Sequence, residues 1–177
     1  MNAFGVTILV IDLVLLLALP RSLAPLPLLV GACYMVRSQL IEVGPFHFTI
    51  LRLLLIGGIL RVVVRGETLA GEMNSVDRWM MVWAGWALAS SLLHKDPSGE
   101  LINRFGLVYD AFGVYFLVRI FCQSFEDLEL LCRLTIILLV PLAVEMIYEK
   151  VTDHNLFNAL GGGHELSAIR DGKIRAR

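Results

Sequence analysis

Six apolar stretches divide the chain, at 4–19, 23–36, 46–64, 79–93, 105–122 and 130–148, with short polar punctuation between them. Uninterrupted runs of this length predict helices rather than strands. The first stops at Pro20-Arg21, and the second carries Pro25 and Pro27 at its start, where a missing amide proton does least harm. Both are short. A 16-residue and a 14-residue helix rise only roughly 21–24 Å, less than the roughly 30 Å hydrocarbon core of a bilayer. Residues 4–36 therefore read equally as two thin helices, a re-entrant hairpin or one broken span.

The third stretch is long enough to span and contains Arg52 and Arg61. Its twelve Leu, Ile, Phe and Val residues from Phe48 to Val64 each favour insertion by about 0.3–0.6 kcal/mol. Two arginines at mid-membrane would cancel that gain, at about 2.5–3.5 kcal/mol each, unless they snorkel towards headgroups. A polar linker follows at 65–78. The fourth stretch opens with Trp79, Trp83 and Trp86, which suit an interfacial aromatic belt. Gly85 with Ala89, and Ala87 with Ser91, repeat at four-residue spacing and predict close packing, first of all within the same protein. Residues 94–99 read as a loop, and 126–129 as an acidic loop before the sixth stretch, where the interior Pro141 predicts a kink.

Composition turns helices into membrane helices. The 177 residues are 57% hydrophobic and only 18% charged, against about 45–50% and about 25% in soluble domains. The pattern predicts an all-α, polytopic helical membrane protein with five or six transmembrane helices over residues 1–148. A short polar extramembrane tail occupies 149–177. A net charge of −1 gives no case for nucleic-acid binding. Cys33, Cys122 and Cys132 form no C-x-x-C pair and read as small hydrophobes within helices. Cations in alternate connections number six (Arg21, Arg61, Arg65, Arg78, Arg119, Arg133) against three (Arg37, Lys95, Arg104). The positive-inside rule places the first set in the cytoplasm and the tail on the opposite side.

Charged residues inside apolar stretches are the candidates for chemistry: Asp12, Arg52, Arg61, Asp110, Arg119 and Glu145. Arg52, Arg61, Arg119 and Glu145 are expected to snorkel. Asp12 and Asp110 are too short for that, and predict either an interhelical pair with an arginine or a buried neutral acid. The four histidines (His47, His94, His154, His164) have no metal-ligand spacing, and Gly161-Gly162-Gly163 lacks the following Gly-Lys-Ser/Thr of a phosphate loop. No metal or other cofactor is expected. In the tail, Asp171-Gly172 is a hairpin turn signal between Arg170 and Lys173, with Arg175 and Arg177 beyond. Such a cluster suits bidentate grip of a diphosphate, and it also suits an ordinary basic terminus.

Residues 145–177 include Asp153-His154-Asn155-Leu156-Phe157, the glycine-rich turn and Arg170-Asp171-Gly172-Lys173-Ile174-Arg175. This segment resembles the bacterial O-antigen ligase and polymerase superfamily, and the likeness extends to 23–35 and 46–67. The resemblance implies a multi-pass inner-membrane protein with a periplasmic tail, taking part in lipopolysaccharide or other surface-polysaccharide assembly. It implies a glycan transferase that uses an undecaprenyl-diphosphate-linked donor, without metal or nucleotide cofactor. Arg170, Arg175 and Arg177 then become candidate binding residues for that glycan or diphosphate, while no catalytic residue is assigned. The likeness covers only the first part of a family member, whose large later periplasmic loop has no counterpart here. The expectation is a chain that is not catalytic alone and needs a C-terminal half or a membrane partner. The reading from another class is a small non-enzymatic membrane scaffold or transporter component.

Overall fold

A computed structural model of the chain describes residues 3–35, 40–43, 46–152, 169–170 and 173–174. Six α-helices account for most of it: α1 (Ala3–Ala18), α2 (Pro25–Tyr34), α3 (Ile50–Arg65), α4 (Ser75–Ser90), α5 (Pro97–Phe121) and α6 (Phe125–Thr152). Each apolar stretch holds one helix, so 4–36 forms two helices joined by a single 3₁₀ turn, Arg21–Leu23. Two short hairpins complete the described chain. β1 (Leu40–Val43) pairs antiparallel with β2 (Phe46–Thr49), and β3 (Ile169–Arg170) with β4 (Lys173–Ile174).

Capping chemistry moves several boundaries away from the hydropathy pattern. Thr49 accepts a hydrogen bond from the backbone N–H of Arg52, so α3 starts at Ile50 and residues 46–49 form a strand. Asp96 caps α5 by accepting from the Gly99 N–H with Pro97 in the first turn, so half of the expected loop at 94–99 is helix. Ser124 and Asp127 form a reciprocal box: the Asp127 N–H donates to Ser124 Oγ, and the Ser124 N–H to Asp127 Oδ2. The expected acidic loop is therefore the first turn of α6, where its charges face the positive end of the helix dipole. α6 runs unbroken through Pro141 to Thr152, beyond the boundary drawn at residue 148.

The helices alternate in direction, and α1 packs on α2 and α3, α2 on α6, α3 on α5, and α4 on α5. A core of Leu9, Leu16, Leu28, Leu54, Leu117 and Phe121 with their neighbours sits where α1, α2, α3 and α5 meet. Glycines set the close approaches. A Cβ at Gly57 would lie 2.5 Å from Leu13 Cδ2, and one at Gly58 2.5 Å from Leu117 Cδ1. Parallel α3 and α5 thus run in register, with Leu55 against Gly113 and Arg52 against Gly106. On α4, Ala87 and Ser91 are buried as expected, whereas Gly85 and Ala89 face outward.

The burial pattern is inverted relative to a water-soluble protein. Among the described residues of α6 only Glu145 is buried, while Ile136, Val140, Val144 and Ile147 are each more than half exposed. α5 and α6 are long and apolar enough to cross a membrane, and few residues of their apolar windows are fully buried. α1, α2, α3 and α4 have 16, 10, 16 and 16 residues, so the length criterion reaches two helices rather than the five or six expected.

Gly58→Leu should force α3 from α5 and cost about 1–3 kcal/mol, as overpacking does. Thermal unfolding in detergent should show a lower Tm, whereas Gly85→Leu, facing open space, should leave it unchanged.

Candidate functional site

At one end of the bundle α1, α3 and α5 finish and α2, α4 and α6 begin, so three negative and three positive helix ends converge. The side chains there match those ends. α1 has no basic residue in its last turn, and α3 supplies two. Arg61 Nη1 donates to the carbonyls of Leu16 and Leu19 (2.9 Å to Leu19), and Arg65 Nη2 donates to Leu17 O at 2.5 Å. The same Arg61 guanidinium reaches Glu67 with Nη2 to Oε1 at 2.9 Å and lies over the Phe121 ring, 5.3 Å from its centroid. Gly66 makes this possible: its φ of 63° ends α3 in a left-handed cap and swings Glu67 back towards Arg61.

A second cluster joins α4 to α5. Asn74 and Asp77 form a capping box, and the fully buried Asp77 carboxylate also receives Arg119 Nη1 at 2.5 Å and the Tyr115 hydroxyl at 2.8 Å. Arg119 continues to the carbonyls of Ala70 and Glu72, fixing the linker. Gln123 bridges Arg21 and Thr68 O, and Arg21 lies 3.8 Å from Asp127, which ties in α2 and α6.

Sequence-predicted residues divide sharply. Arg61 and Arg119 do not snorkel: Arg61 is fully buried and both turn inward to carbonyls and carboxylates. Glu145 likewise faces the bundle and is buried. Arg52 does not snorkel either: it pairs across the helices with Asp110, the kind of partner expected for that acid, with Nε to Oδ1 and Nη2 to Oδ2 both 3.0 Å. Gly106 clears the space, since a Cβ there would meet Arg52 Nη2 at 2.5 Å. Asp12 is buried on α1, and its Oδ2 has no hydrogen-bond partner. In the tail, β3 and β4 pair Arg170 with Lys173 on either side of Asp171-Gly172, as the turn signal predicts. Arg175, Arg177 and 153–168 lie outside the described residues. Among the described residues no cluster of His, Cys, Asp and Glu is arranged to hold a metal.

Sequence reasoning missed Glu67, Asp77 and Gln123, which it left in polar connections. The signal for Asp77 was present as Asn74-x-x-Asp77, a capping pattern at a helix start. It also missed the Tyr34 hydroxyl, which donates to Leu138 O at 2.6 Å, one residue on from the carbonyl that Pro141 leaves without its helical donor. Beside the Arg52 pair, α3 and α5 enclose an apolar groove of about 360 Å³ lined by Ile59, Phe105, Tyr109, Phe112 and Phe116 among others.

No known family model, characterised protein or solved structure matches the chain.

Arg61→Leu should leave Glu67 and the α1 carbonyls without their donor and cost about 3–5 kcal/mol, the range for breaking a buried pair; equilibrium unfolding in mixed micelles measures it.

Proposed function

We propose that the chain is an integral membrane bundle that takes part in cell-surface polysaccharide assembly, corresponding to the N-terminal part of an O-antigen ligase-like protein. The observation that carries the membrane reading is α6. A 28-residue apolar helix that buries a glutamate and exposes Ile136, Val140 and Val144 is suited to lipid and unsuited to water. In this reading all six helices lie within the bilayer of a bacterial inner membrane. α5 and α6 cross it fully, and the short α1 to α4 are completed by polar contacts at their ends. The converging arginines face the cytoplasm, as the cation bias favours, and the β3–β4 hairpin stands on the periplasmic side.

The glycan part of the proposal rests on the family resemblance. In its terms Arg170, Arg175 and Arg177 bind the diphosphate of a polyprenyl-linked donor, and a catalytic base is supplied by a further segment or partner. The paired Arg170 and Lys173 backbone positions favour this by bringing two cationic residues opposite each other across the β3–β4 ladder. The second reading, a non-enzymatic scaffold or transport component, is favoured by the charged pair between the first turn of α3 and the middle of α5.

Alkaline carbonate extraction should leave the chain in the membrane pellet; release into the supernatant would refute the membrane reading. Surface plasmon resonance on vesicles containing undecaprenyl diphosphate should show binding. The Arg170→Ala/Arg175→Ala/Arg177→Ala variant should bind at least about tenfold more weakly, a loss of about 1.4 kcal/mol or more. Equal binding by that variant would remove the diphosphate role and leave the scaffold or transport reading.

A further inference from the structure

The exposure of the Arg52–Asp110 pair does not suit its depth. At the end where the polar linkers gather, the Arg61–Glu67 pair is 0% and 11% exposed and the Arg119–Asp77 pair 16% and 0%, while the outermost Arg21–Asp127 pair is 41% and 14% exposed. Arg52 and Asp110 lie nine residues before Arg61 and Arg119 on the same two helices. At 1.5 Å per residue that is about 14 Å further in, close to the middle of a roughly 30 Å hydrocarbon core. Yet their side chains remain 23% and 33% exposed. Hydrocarbon is a poor environment for such a pair, and intramembrane charges face either protein or a water-filled cavity.

The helix lengths show where water enters. α3 begins at Ile50, only two residues beyond Arg52. α2 has 10 residues, roughly 15 Å, and its last residue, Tyr34, bonds to Leu138 of α6. Leu138 lies eleven residues, about 17 Å, from Asp127 at the arginine end. Two of the six helices therefore stop at mid-depth, while α5 continues thirteen residues past Asp110 to Pro97, about 20 Å. The chain between α2 and α3 contains the two-stranded β1–β2 ladder. In a sheet of two strands each strand pairs along one edge only, and the other edge needs water or protein for its N–H and C=O groups. Non-helical backbone at this depth is stable where it is buried in protein or lines an aqueous space.

We infer that an aqueous vestibule enters the bundle from the end opposite the arginines, beside the β1–β2 hairpin. It reaches halfway across to the Arg52–Asp110 pair, which forms its polar floor and is open to hydrophilic solutes. The inference rests on the membrane reading above, and the experiment separates the two. The chain, with Cys33, Cys122 and Cys132 replaced by Ala, carries a single cysteine in each variant and is embedded in phospholipid nanodiscs. A charged, membrane-impermeant methanethiosulfonate is the probe.

Lys95→Cys reports a loop in water. Ile136→Cys reports the outer face of α6, nine residues from Asp127 and so at the depth of the pair. Asp110→Cys reports the floor, and Phe48→Cys the hairpin with the ion pair left intact. Reaction at Asp110→Cys and Phe48→Cys should fall within about tenfold of Lys95→Cys, with Ile136→Cys about a hundredfold slower or more, since thiol reactivity follows access to water. If both the floor and hairpin positions react as slowly as Ile136→Cys, the vestibule does not exist. If Ile136→Cys reacts as fast as Lys95→Cys, the membrane reading fails instead.

Discussion

The fold depends on one buried cation. Arg61 has no exposed surface, and its guanidinium contacts three elements at once: the last carbonyls of α1, Glu67 beyond the end of α3, and the Phe121 ring of α5. Helix C-termini carry carbonyls without intrahelical donors, and away from bulk water each must be satisfied by protein. α1 ends in Leu and Ala and brings no donor of its own. Arg61, with Arg65 beside it, supplies what α1 lacks, and this fixes how far α1 slides along α3. Gly57 sets the distance at which that slide is packed. The charge is thus compensated by a carboxylate, carbonyl dipoles and an aromatic face, which makes burial of a guanidinium tenable.

The same logic repeats around that end of the bundle. Arg119 secures the α4 start through Asp77, and Asp127 caps α6 while meeting Arg21. Asp77 and Asp127 sit at helix starts and Arg61, Arg65 and Arg119 near helix finishes, so there local dipoles and side-chain charges agree in sign. Apolar side chains need no such arrangement and face outward. A soluble bundle gains its cohesion from buried Leu and Val. Here, beyond a small Leu-rich core between α1, α2, α3 and α5, cohesion between helices comes from glycine contacts and polar bonds, as expected where lipid competes equally for apolar surface.

How much of this the sequence discloses follows from the range of each interaction. Existence and order of the six helices are local properties of hydropathy, and all six are legible. Helix starts were misjudged where a cap overrides hydropathy: Asp96-Pro97 and Ser124-x-x-Asp127 add polar first turns that an apolar window discards. β1–β2 was missed because Phe46 to Thr49 is as apolar as the helix that follows. The pairing of Arg52 with Asp110 was anticipated as a type of contact, since a short intramembrane acid needs a cation. Which arginine serves which acid depends on the α3–α5 register, set by Gly58, Gly106 and Gly113. The inward turn of Arg61 was invisible for a similar reason: the demand arises on α1, some forty residues away in sequence.

Short helices and buried charges are two aspects of a single constraint. A helix that crosses the whole hydrocarbon core presents its unsatisfied ends to headgroups and water, and it needs no interior polar partner. In the proposed membrane setting a helix of 10 or 16 residues cannot place both ends in those zones. At least one end lies within the bundle and must be answered by a side chain, by another stretch of backbone or by water. At the arginine end the answer is a set of guanidiniums and carboxylates from neighbouring helices, with Arg61 and Asp77 fully buried among them. At the opposite ends of α2 and α3 the chain provides a hairpin and a part-exposed ion pair, which the inferred vestibule supplies with water. On the proposed membrane reading the two ends of the same short helices thus differ in kind: a clasp built around the buried Arg61 and Asp77 on one side, and a hydrated recess on the other.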